Sequence, residues 1–534
     1  MSAIVSPGLI AFALSAMKSD VMITVYYNAT VVSLDKNDQT YEAIAIDGQR
    51  IVGLGSSDEL RKLYSSAVQT DLEGAVIYPA FADSHAHIYG TGERVTKPRL
   101  EPAASLSEAL GIIRSAASES TGEWVVLRGW DHNKWGMESF PTKHDLDSIG
   151  DSPVALTRVD GHAIWVNEAA LKAAKIDGDT IAPAGGEILK DVSGAPTGIL
   201  LDEAMKLVEA SIPRSSADET KQVLRAGLME FARHGNATVH DMGVPSHFWS
   251  ALVELYQQES EQLPRAQIFL DMNQESGKAL FKELTDVPQS KSDNLKLVGI
   301  KIYLDGALGS RGAELFEEYS DDPGNYGLAL SDDDEVVEMM KKASSLSLQI
   351  AVHAIGDKAN SRALELFERS GAAGRTTCRI EHAQIVKDQD LAEYKRLGVN
   401  AVIQPPFFPS DRHWAVQRLG QGRMKTAYRW RSLLDAGIET VGSSDSPVEP
   451  PDTIAGIRTL VSRDGVQDGE GVTEQEAIRL YTLSGAQLDG QQADRGTLEF
   501  GKLADLTILD KPVLADGAKV KMTVLAGRVL YSAE

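Results

Sequence analysis

The sequence predicts an α/β protein whose main body is a closed (β/α)8, TIM-like barrel, accompanied by a small β-sandwich domain built from both termini. Two observations predict this fold class. Short β-like segments occupy both ends of the 534-residue chain. Between them, eight apolar strand-like segments alternate with helix-like segments, and such alternation is typical of parallel strands that close into a barrel. The chain is also long enough for one large barrel and a satellite domain.

The two ends of the chain, residues 1–75 and 495–534, are predicted to form the β-sandwich domain together. Their strands are predicted at residues 22–27, 43–46, 51–54, 505–509, 523–525 and 529–531. Asp47-Gly48, between two of these strands, is a strong signal for a hairpin turn. Because β-like segments flank a long central region, we expect one small sheet domain made from both ends.

The barrel is predicted to span residues 76–494. Its first strand is the apolar run of residues 75–80, which is typical of a strand buried on both faces of a parallel sheet. The remaining strands are predicted at residues 237–241, 266–272, 297–305, 348–353, 378–382, 401–404 and 439–445. Helix-like stretches follow most of them, for example at residues 332–345, 358–370, 387–397 and 431–436.

An insertion of about residues 95–215 separates the first barrel strand from the second. It contains strand-like segments of its own at residues 124–127 and 154–159. A segment of this length is too long for a plain loop. We therefore predict that it forms a cap over the mouth of the barrel.

The charge of the chain limits its partners and its location. A formal net charge of -24 argues against nucleic acid and against anionic membranes as partners. No apolar run is long enough to span a bilayer. Residues 8–14 resemble the core of a signal peptide, but a positive segment before them and a small-residue cleavage site after them are both missing. The sequence therefore predicts a cytoplasmic protein.

Cysteine content restricts the chemistry of any metal site. The chain has one cysteine, Cys378, so neither a disulfide framework nor a cage of thiolates is available. Cys378 lies four residues before His382 in the same predicted strand, about 13 Å deeper, and we expect it to be a core residue. Any metal ion must therefore be held by nitrogen and oxygen ligands.

The stretch Phe81-Ala82-Asp83-Ser84-His85-Ala86-His87 follows the first predicted barrel strand. Side chains alternate along a strand, so His85 and His87 point the same way, about 6.6 Å apart. Two imidazoles at that spacing can converge on one metal ion if the strand bends slightly. Asp83 has the same parity, and its carboxylate could either bind a metal or orient a ligating histidine.

Other ligand-type residues stand at the ends of later predicted strands. His353, His382 and Asp445 each lie at the C-terminal end of a different strand. Active sites of such barrels lie at that edge. A single histidine in a strand is usually a satisfied core residue, but four histidines and an aspartate on one rim are hard to explain by packing. The sequence therefore predicts a metal site.

Lys301 is an unusual residue for a barrel strand. Strand parity places it on the same face as Tyr303 and Asp305. An unpaired buried ammonium group is costly, which leaves two alternatives. Lys301 could form an ion pair with Asp305 or Asp445, or it could be a neutral amine that has added carbon dioxide to give a carbamate between two metal ions.

Taken together, these motifs resemble the amidohydrolase superfamily, specifically its N-substituted-formamide-deformylase-like branch, also called amidohydrolase 3. The matching segments are FADSHAH, VHDMG, KIYLDGALGSRGA, VHAIGD, IEHAQ, QPPF, GSSDSPV, LEFGKLADLTILD and, in the insertion, RGWDHNKW, RVDGHAIWVN and PTGIL. Each motif is modest alone, but their order and spacing over nearly the whole chain are highly specific.

The resemblance implies a binuclear metal centre. His85, His87 and Asp445 would hold one divalent ion, and His353 and His382 would hold the second. Carboxylated Lys301 and a hydroxide would lie between the two ions. Imidazole and carboxylate ligands suit zinc, so we expect two Zn²⁺ ions and a carbamate derived from CO₂.

The resemblance also implies a reaction. Metal-bound hydroxide would attack a linear amide or N-substituted formamide, with Asp445 as general base and then general acid. His162, in the motif Asp160-Gly161-His162, would bind the oxygen of the tetrahedral intermediate.

Three residues are candidates for substrate contacts. Trp130 in the insertion could line a substrate pocket or serve packing alone. Arg311 could meet an anionic substrate or pair with Asp305. Phe407, just past the seventh predicted strand, favours an apolar wall. His240 and Asp241 end the second predicted strand and could support the ligands from behind.

Other functions remain open from the sequence. A cyclic-amide hydrolase or a deaminase could use the same scaffold, although Lys301 disfavours the mononuclear deaminase type. A non-catalytic binding protein is a further alternative, against which the complete ligand set argues. We expect a small-molecule amide as the partner, and the sequence is compatible with a homodimer.

Overall fold

The computed structural model describes residues 23–119, 124–159, 163–183, 186–202, 204–213, 215–288, 290–466 and 468–533. Its strands are β1 (Thr24–Tyr27), β2 (Thr30–Val32), β3 (Thr40–Tyr41), β4 (Ala43–Asp47), β5 (Arg50–Gly55), β6 (Val68–Asp71), β7 (Val76–Pro79), β8 (Phe81–Ala86), β9 (Val125–Trp130), β10 (Val154–Arg158), β11 (Ala163–Val166), β12 (Gly186–Lys190), β13 (Pro196–Asp202), β14 (Asn236–Val244), β15 (Arg265–Asp271), β16 (Leu295–Tyr303), β17 (Gln349–Ala354), β18 (Cys378–His382), β19 (Asn400–Ile403), β20 (Thr440–Gly442), β21 (Leu506–Leu509), β22 (Val520–Leu525) and β23 (Arg528–Ser532).

The α-helices are α1 (Ser57–Leu63), α2 (Ile88–Thr96), α3 (Leu106–Glu119), α4 (Glu168–Ala173), α5 (Met205–Glu209), α6 (Ala217–Arg233), α7 (Ser246–Glu259), α8 (Glu275–Glu283), α9 (Asp333–Ser345), α10 (Asp357–Ser370), α11 (Asp388–Leu397), α12 (Phe407–Met424), α13 (Trp430–Asp435), α14 (Thr453–Ser462), α15 (Glu474–Leu480) and α16 (Leu483–Leu488). Short 3-10 helices occur at Lys143–Ile149, Ser260–Gln262 and Arg463–Gly465. Within the described residues, none of the helices is both long and apolar enough to cross a membrane.

Eight parallel strands form the predicted barrel. Their order is β20-β19-β18-β17-β16-β15-β14-β8, and every neighbouring pair is parallel. Backbone hydrogen bonds from Asp445 to the His85 carbonyl (2.8 Å) and from His87 to the Ser446 carbonyl (2.7 Å) connect the last strand to the first at the rim. The predicted α/β fold is therefore confirmed, with a nearly closed barrel of eight parallel strands.

Both faces of the barrel strands are covered. Every residue of β15 and of β18 is buried, and the outward side chains pack against the surrounding helices in one large core. Helices follow the strands in alternation, for example α9 after β16, α10 after β17 and α11 after β18. The C-terminal ends of the strands consequently meet at one rim.

The apolar run at residues 75–80 does not belong to the barrel, contrary to our prediction. It contains β7, which pairs in parallel with β2 and antiparallel with β21 in a separate sheet. The first barrel strand is instead β8, the stretch that carries His85. Two buried strands follow each other directly here, so the sequence shows a single apolar region.

Two further sheets contain strands from the two ends of the chain. One has the order β5-β4-β1-β6 and the other the order β23-β22-β21-β7-β2-β3. Buried apolar side chains from both ends, such as Ile44, Ile77 and Ile508, share one core. Asp47 pairs with Arg50 across the predicted hairpin turn, and Gly48 there has a φ of 56°, which glycine adopts without strain.

The described residues divide into two compact units. One contains the barrel and the terminal strands, within Met1–Gly92 and Lys221–Glu534, and the other is the insertion, Glu93–Thr220. The insertion has its own sheet, with the order β12-β13-β11-β10-β9, and its own apolar core around Trp130 and Trp165. The domain bounds given by the sequence, and the capping role of the insertion, stay predictions.

Candidate metal centre

The barrel rim collects ligand-type residues from five strands. Lys301 lies in β16, His353 in β17 and His382 at the end of β18. His85 lies in β8, and His87 follows that strand directly. Asp445 follows β20.

Their functional atoms lie close together. One ligand atom each from His85, His382 and Asp445 lie within 4.8 Å of one another. Asp445 Oδ1 is 3.2 Å from His87 Nε2 and 3.5 Å from His85 Nε2. The ring centroid of His382 is 4.9 Å from that of His85 and 4.4 Å from that of His353. The structure thus gathers the predicted metal-binding histidines and Asp445 at one point.

Lys301 belongs to the same cluster. Its side chain is almost completely buried, with Nζ 3.4 Å from His85 Nε2 and 5.0 Å from the centre of the Tyr303 ring. Burial lowers the pKa of Lys301 to about 8, although Glu381 and Asp445 favour its charged form. A lysine with this pKa is partly neutral near pH 7.

Two of the candidate ligands lie in an unusual backbone conformation. Asp445 has a φ of 59° and His382 a φ of 75°, in the left-handed region that non-glycine residues seldom adopt. Strain of this kind is found mainly at functional sites, where the surrounding structure enforces it.

Two histidines contact the rest of the barrel through their second ring nitrogen. His85 Nδ1 is 2.5 Å from Glu381 Oε2, and His382 Nδ1 is 2.7 Å from Gln404 Oε1. Contacts of this type orient metal-binding histidines in proteins. Neither Glu381 nor Gln404 was predicted from the sequence. For Glu381, the one signal in the sequence was an acidic residue inside a predicted strand of the barrel.

Asp83 contacts Ser444 and the backbone of its own strand. One carboxylate oxygen accepts from Ser444 Oγ (2.5 Å), and the other accepts from the backbone N–H groups of Ser444 (3.1 Å) and His85 (3.3 Å). Burial raises the pKa of Asp83 to about 7. Of the two roles left open by the sequence, these contacts fit the orienting one, because Asp83 ties the first barrel strand to the segment after β20.

The pKa values of the histidines in the cluster are shifted in different directions. Burial lowers the pKa of His353 to about 3 and holds the pKa values of His85 and His382 well below the usual value. Burial also lowers the pKa of His87, but the adjacent Asp445 carboxylate outweighs it and leaves that pKa raised. Neutral imidazole is the form that binds metal ions.

The described residues fit a divalent metal ion. Asp445 Oδ1 and His353 Nε2 are buried, and neither has a hydrogen-bond partner of good geometry among the described residues. His353 Nε2 lies 3.5 Å from Asp305 Oδ1. Buried polar atoms normally have partners. Neutral imidazoles with a carboxylate form a donor set that suits zinc and related ions.

Asp305 shapes the loop beside His353. Its carboxylate accepts hydrogen bonds from the backbone N–H groups of Glu314 (2.9 Å), Ile355 (3.0 Å) and Gly356 (2.8 Å). Burial raises the pKa of Asp305 to about 7. Asp305 therefore joins the segments that follow β16 and β17. From the sequence, Asp305 was a possible ion-pair partner of Lys301 or Arg311; the contacts that its carboxylate makes here are with backbone N–H groups instead.

The predicted substrate residues lie in different surroundings. Phe407 stacks on His382, with ring centroids 6.1 Å apart, and both line a small pocket together with Gln404, Tyr428 and Trp430. Arg311 forms an ion pair of 2.9 Å with Asp321.

Two further candidates concern the insertion. Trp130 is fully buried within the insertion, where its indole N–H donates to the Leu156 carbonyl at 2.7 Å. These contacts fit the packing alternative for Trp130. His162 lies outside the described residues.

Comparison with known proteins identifies the scaffold. The model of the amidohydrolase family matches residues 69–531. The chain belongs to the amidohydrolase family. This confirms the resemblance drawn from the sequence motifs.

Individual relatives of this amidohydrolase match it over most of their length. It is 33% identical to the Bacillus subtilis protein YtcJ over 519 residues, which are 93% of this chain and 97% of YtcJ. It is 27% identical to the N-substituted formamide deformylase of Arthrobacter pascens, over 91% of this chain and 92% of that enzyme. Among solved structures, an uncharacterized metal-dependent hydrolase from Pyrococcus furiosus aligns with a TM-score of 0.79 at 30% identity, over 92% of this chain and 100% of its own.

Proposed function

We propose that this protein is a metal-dependent amidohydrolase that cleaves the carbon–nitrogen bond of a linear amide or an N-substituted formamide. The observation that carries the proposal is the convergence of His85, His353, His382 and Asp445 at the barrel rim. There Asp445 Oδ1 and His353 Nε2 are buried without a hydrogen bond of good geometry among the described residues. The choice of substrate class is supported by the relative whose name specifies N-substituted formamides.

The ligands divide into two sets in this proposal. His85, His87 and Asp445 would hold one ion, His353 and His382 the other, and a carboxylated Lys301 would contribute one oxygen to each. Zn²⁺ is the expected metal, because the donors are imidazole nitrogens and carboxylate oxygens. When bound, such ions polarise a substrate carbonyl and lower the pKa of water far enough to supply hydroxide near neutral pH.

The carbamate requires a neutral Lys301. The free amine attacks the carbon of CO₂, a nitrogen–carbon bond forms, and one proton leaves the nitrogen to give an anionic carbamate. The pKa of about 8 that burial imposes on Lys301 makes the neutral amine available near physiological pH. Two oxygens on a long side chain could then reach two ions, which the single nitrogen could not.

Asp445 is the proposed acid–base residue. Its carboxylate accepts a proton from the attacking water and then donates that proton to the leaving amine, so the carbon–nitrogen bond breaks without expelling an amide anion. The position of Asp445 Oδ1 beside His85 and His87, without a good hydrogen-bond partner among the described residues, supports this role.

Two residues are proposed to contact the substrate. Phe407 is proposed as an apolar wall for the substrate, since its ring lines the pocket next to His382. His162 is proposed to donate to the oxygen of the tetrahedral intermediate. Trp130 and Arg311 are weaker candidates, because each already has a partner that accounts for its position.

A panel of substrates tests the proposal. Protein purified without chelator is analysed for metals and then assayed with linear amides, N-substituted formamides and cyclic imides. We expect hydrolysis of the first or second class, loss of activity after treatment with a chelator, and recovery on adding Zn²⁺. Activity that persists in metal-free protein would refute the metal-dependent reaction, and turnover of cyclic imides alone would replace the substrate class.

A further inference from the structure

A chain of buried charged and polar side chains leads from His85 into the interior of the barrel. We call it the charge column, and its members are Glu381, Arg379, His240, Asp489 and Arg495. Glu381, Arg379 and His240 are fully buried, and the side chains of Asp489 and Arg495 are nearly so. Such groups are expensive to bury and persist only when they are paired. Their arrangement therefore calls for an explanation beyond packing.

The upper part of the column connects Glu381 to two strands. Arg379 binds the carboxylate of Glu381 with two nitrogens, through Nε to Oε1 and through Nη2 to Oε2 at 3.0 Å. Arg379 Nη2 also donates to the carbonyl of Ser84, the residue before His85, at 2.5 Å. One guanidinium group thus holds both the carboxylate that contacts His85 and the backbone that carries His85.

The lower part of the column fixes Arg379. Its Nη1 lies 3.1 Å from His240 Nδ1, and because a guanidinium group only donates, this nitrogen must accept. His240 Nε2 lies 3.3 Å from Asp489 Oδ2, and Arg495 binds the same carboxylate oxygen. The column contains two carboxylates and two guanidinium groups, so removing one charge leaves another buried without compensation.

The contact with His85 determines which ring nitrogen carries hydrogen. A carboxylate only accepts, so the 2.5 Å contact requires the hydrogen of His85 to be on Nδ1. The lone pair is then on Nε2, which lies 3.5 Å from Asp445 Oδ1 and 3.4 Å from Lys301 Nζ. The opposite tautomer would present a hydrogen to the place where a metal ion is expected.

We propose that Glu381 is a positioning residue of the metal centre: it holds His85 in the tautomer and orientation that bind metal, and Arg379 with the rest of the column holds Glu381. This inference rests on the proposed function, because it assumes a metal at His85. It goes beyond that function in assigning metal affinity to residues that would not touch the ion. Partners of this kind typically contribute about 10- to 100-fold to metal affinity.

Two substitutions separate the contact of Glu381 with His85 from the negative charge of Glu381. Glu381→Asp keeps a carboxylate beside Arg379, but the side chain is shorter by one bond of about 1.5 Å and withdraws from His85 Nδ1. Glu381→Gln keeps the length and loses the charge. The matched control is Asp505→Asn, which breaks a buried ion pair with Arg265 (3.1 Å) that contacts none of the candidate ligands.

The measurement is the dissociation constant for Zn²⁺ alone, obtained by competition with a chromophoric chelator, together with the visible spectrum of the Co²⁺-loaded protein. We expect both Glu381 variants to bind Zn²⁺ about 10- to 100-fold more weakly and to change the Co²⁺ spectrum. Asp505→Asn should bind Zn²⁺ within about twofold of wild type, because the Asp505–Arg265 pair meets the column only at its far end, where Arg265 and Arg495 both donate to Thr238. No described contact joins that pair to Glu381 or to a candidate ligand.

Three outcomes overturn the inference. Glu381 variants that bind Zn²⁺ as tightly as wild type refute it while leaving the proposed function intact. A wild-type protein that binds no Zn²⁺ refutes both. Nitrogen-15 NMR of metal-free wild-type protein, with the His85 signal assigned by its loss in His85→Gln, gives a test that needs no folded Glu381 variant. Hydrogen on Nδ1 is expected, and hydrogen on Nε2 would refute the inference.

Discussion

The uptake of zinc by metal-free protein should depend on pH in a way that reports the state of Lys301. Carbamate formation consumes the neutral amine. With a pKa of about 8, roughly 9% of Lys301 is neutral at pH 7, compared with roughly 0.03% for a lysine of ordinary pKa. Burial therefore raises the supply of reactive amine by about 300-fold.

The sign of the pH dependence follows from that pKa. Below about pH 7 the neutral fraction of Lys301, and with it the rate of carbamate formation, should rise about tenfold per pH unit. Above about pH 9 nearly all of the amine is neutral, so the rate should level off. The assay adds Zn²⁺ and a fixed concentration of dissolved CO₂ to chelator-treated protein and follows zinc uptake with an indicator dye.

Two variants on the same strand provide the controls. Lys301→Ala should take up less zinc and lose activity, and acetate should restore part of both, because its carboxylate can replace the carbamate. Lys296 is exposed at the start of β16, and Lys296→Ala should behave like wild type. A rate that keeps rising tenfold per pH unit up to pH 10 would show that the pKa of Lys301 does not control zinc uptake. Full two-ion loading of Lys301→Ala without acetate would show that the carbamate is not needed.

Elemental analysis of protein purified without chelator should find close to two divalent ions per chain; a single ion would argue against the carbamate bridge. Asp445→Asn should lower turnover by about 10²- to 10⁴-fold or more yet fold normally, since asparagine tolerates positive φ. Its control is Asp435→Asn at an exposed site, and near-normal activity would exclude Asp445 as the base. His162→Ala should reduce turnover more than metal content, whereas equal losses would indicate a structural role. Metal-free protein should become less stable to denaturant as the pH falls from 6.5 toward 3. The pKa of His353 is lowered to about 3 in the folded protein, so unfolding takes up a proton in this pH range. His353→Gln should make the stability depend less on pH.

The sequence predicted the barrel and its rim well, because strand-end position depends on local pattern. The predicted strand of residues 378–382 coincides with β18, and the alternation of strands and helices fixed the order of the sheet. The local sequence pattern could not predict to which sheet β7 belongs. Its apolar run continues directly into the first residues of β8. Its pairing with β21, more than 400 residues away, decides its place.

Sequence patterns could not predict the side chains that contact the candidate metal ligands, for a related reason. Glu381 and His382 are neighbours with opposite parity, so strand geometry predicts different directions for their side chains. The partner of Glu381 is His85, on a distant strand. Likewise the sequence left two roles open for Asp83, and only its contacts with Ser444, on the other side of the barrel seam, favour the orienting one. Contacts across the barrel depend on its curvature, which a single sequence does not reveal.

The hydrogen bond between Asp83 and Ser444 joins residues that are 361 positions apart. Closing a loop of that length costs about 5 kcal/mol of chain entropy, and contacts between distant residues form slowly during folding. During synthesis, His85 and His87 emerge from the ribosome long before Asp445. We therefore expect the nascent chain to remain without a complete binding site until the last barrel strand has been made, so that metal loading belongs to the final stage of maturation.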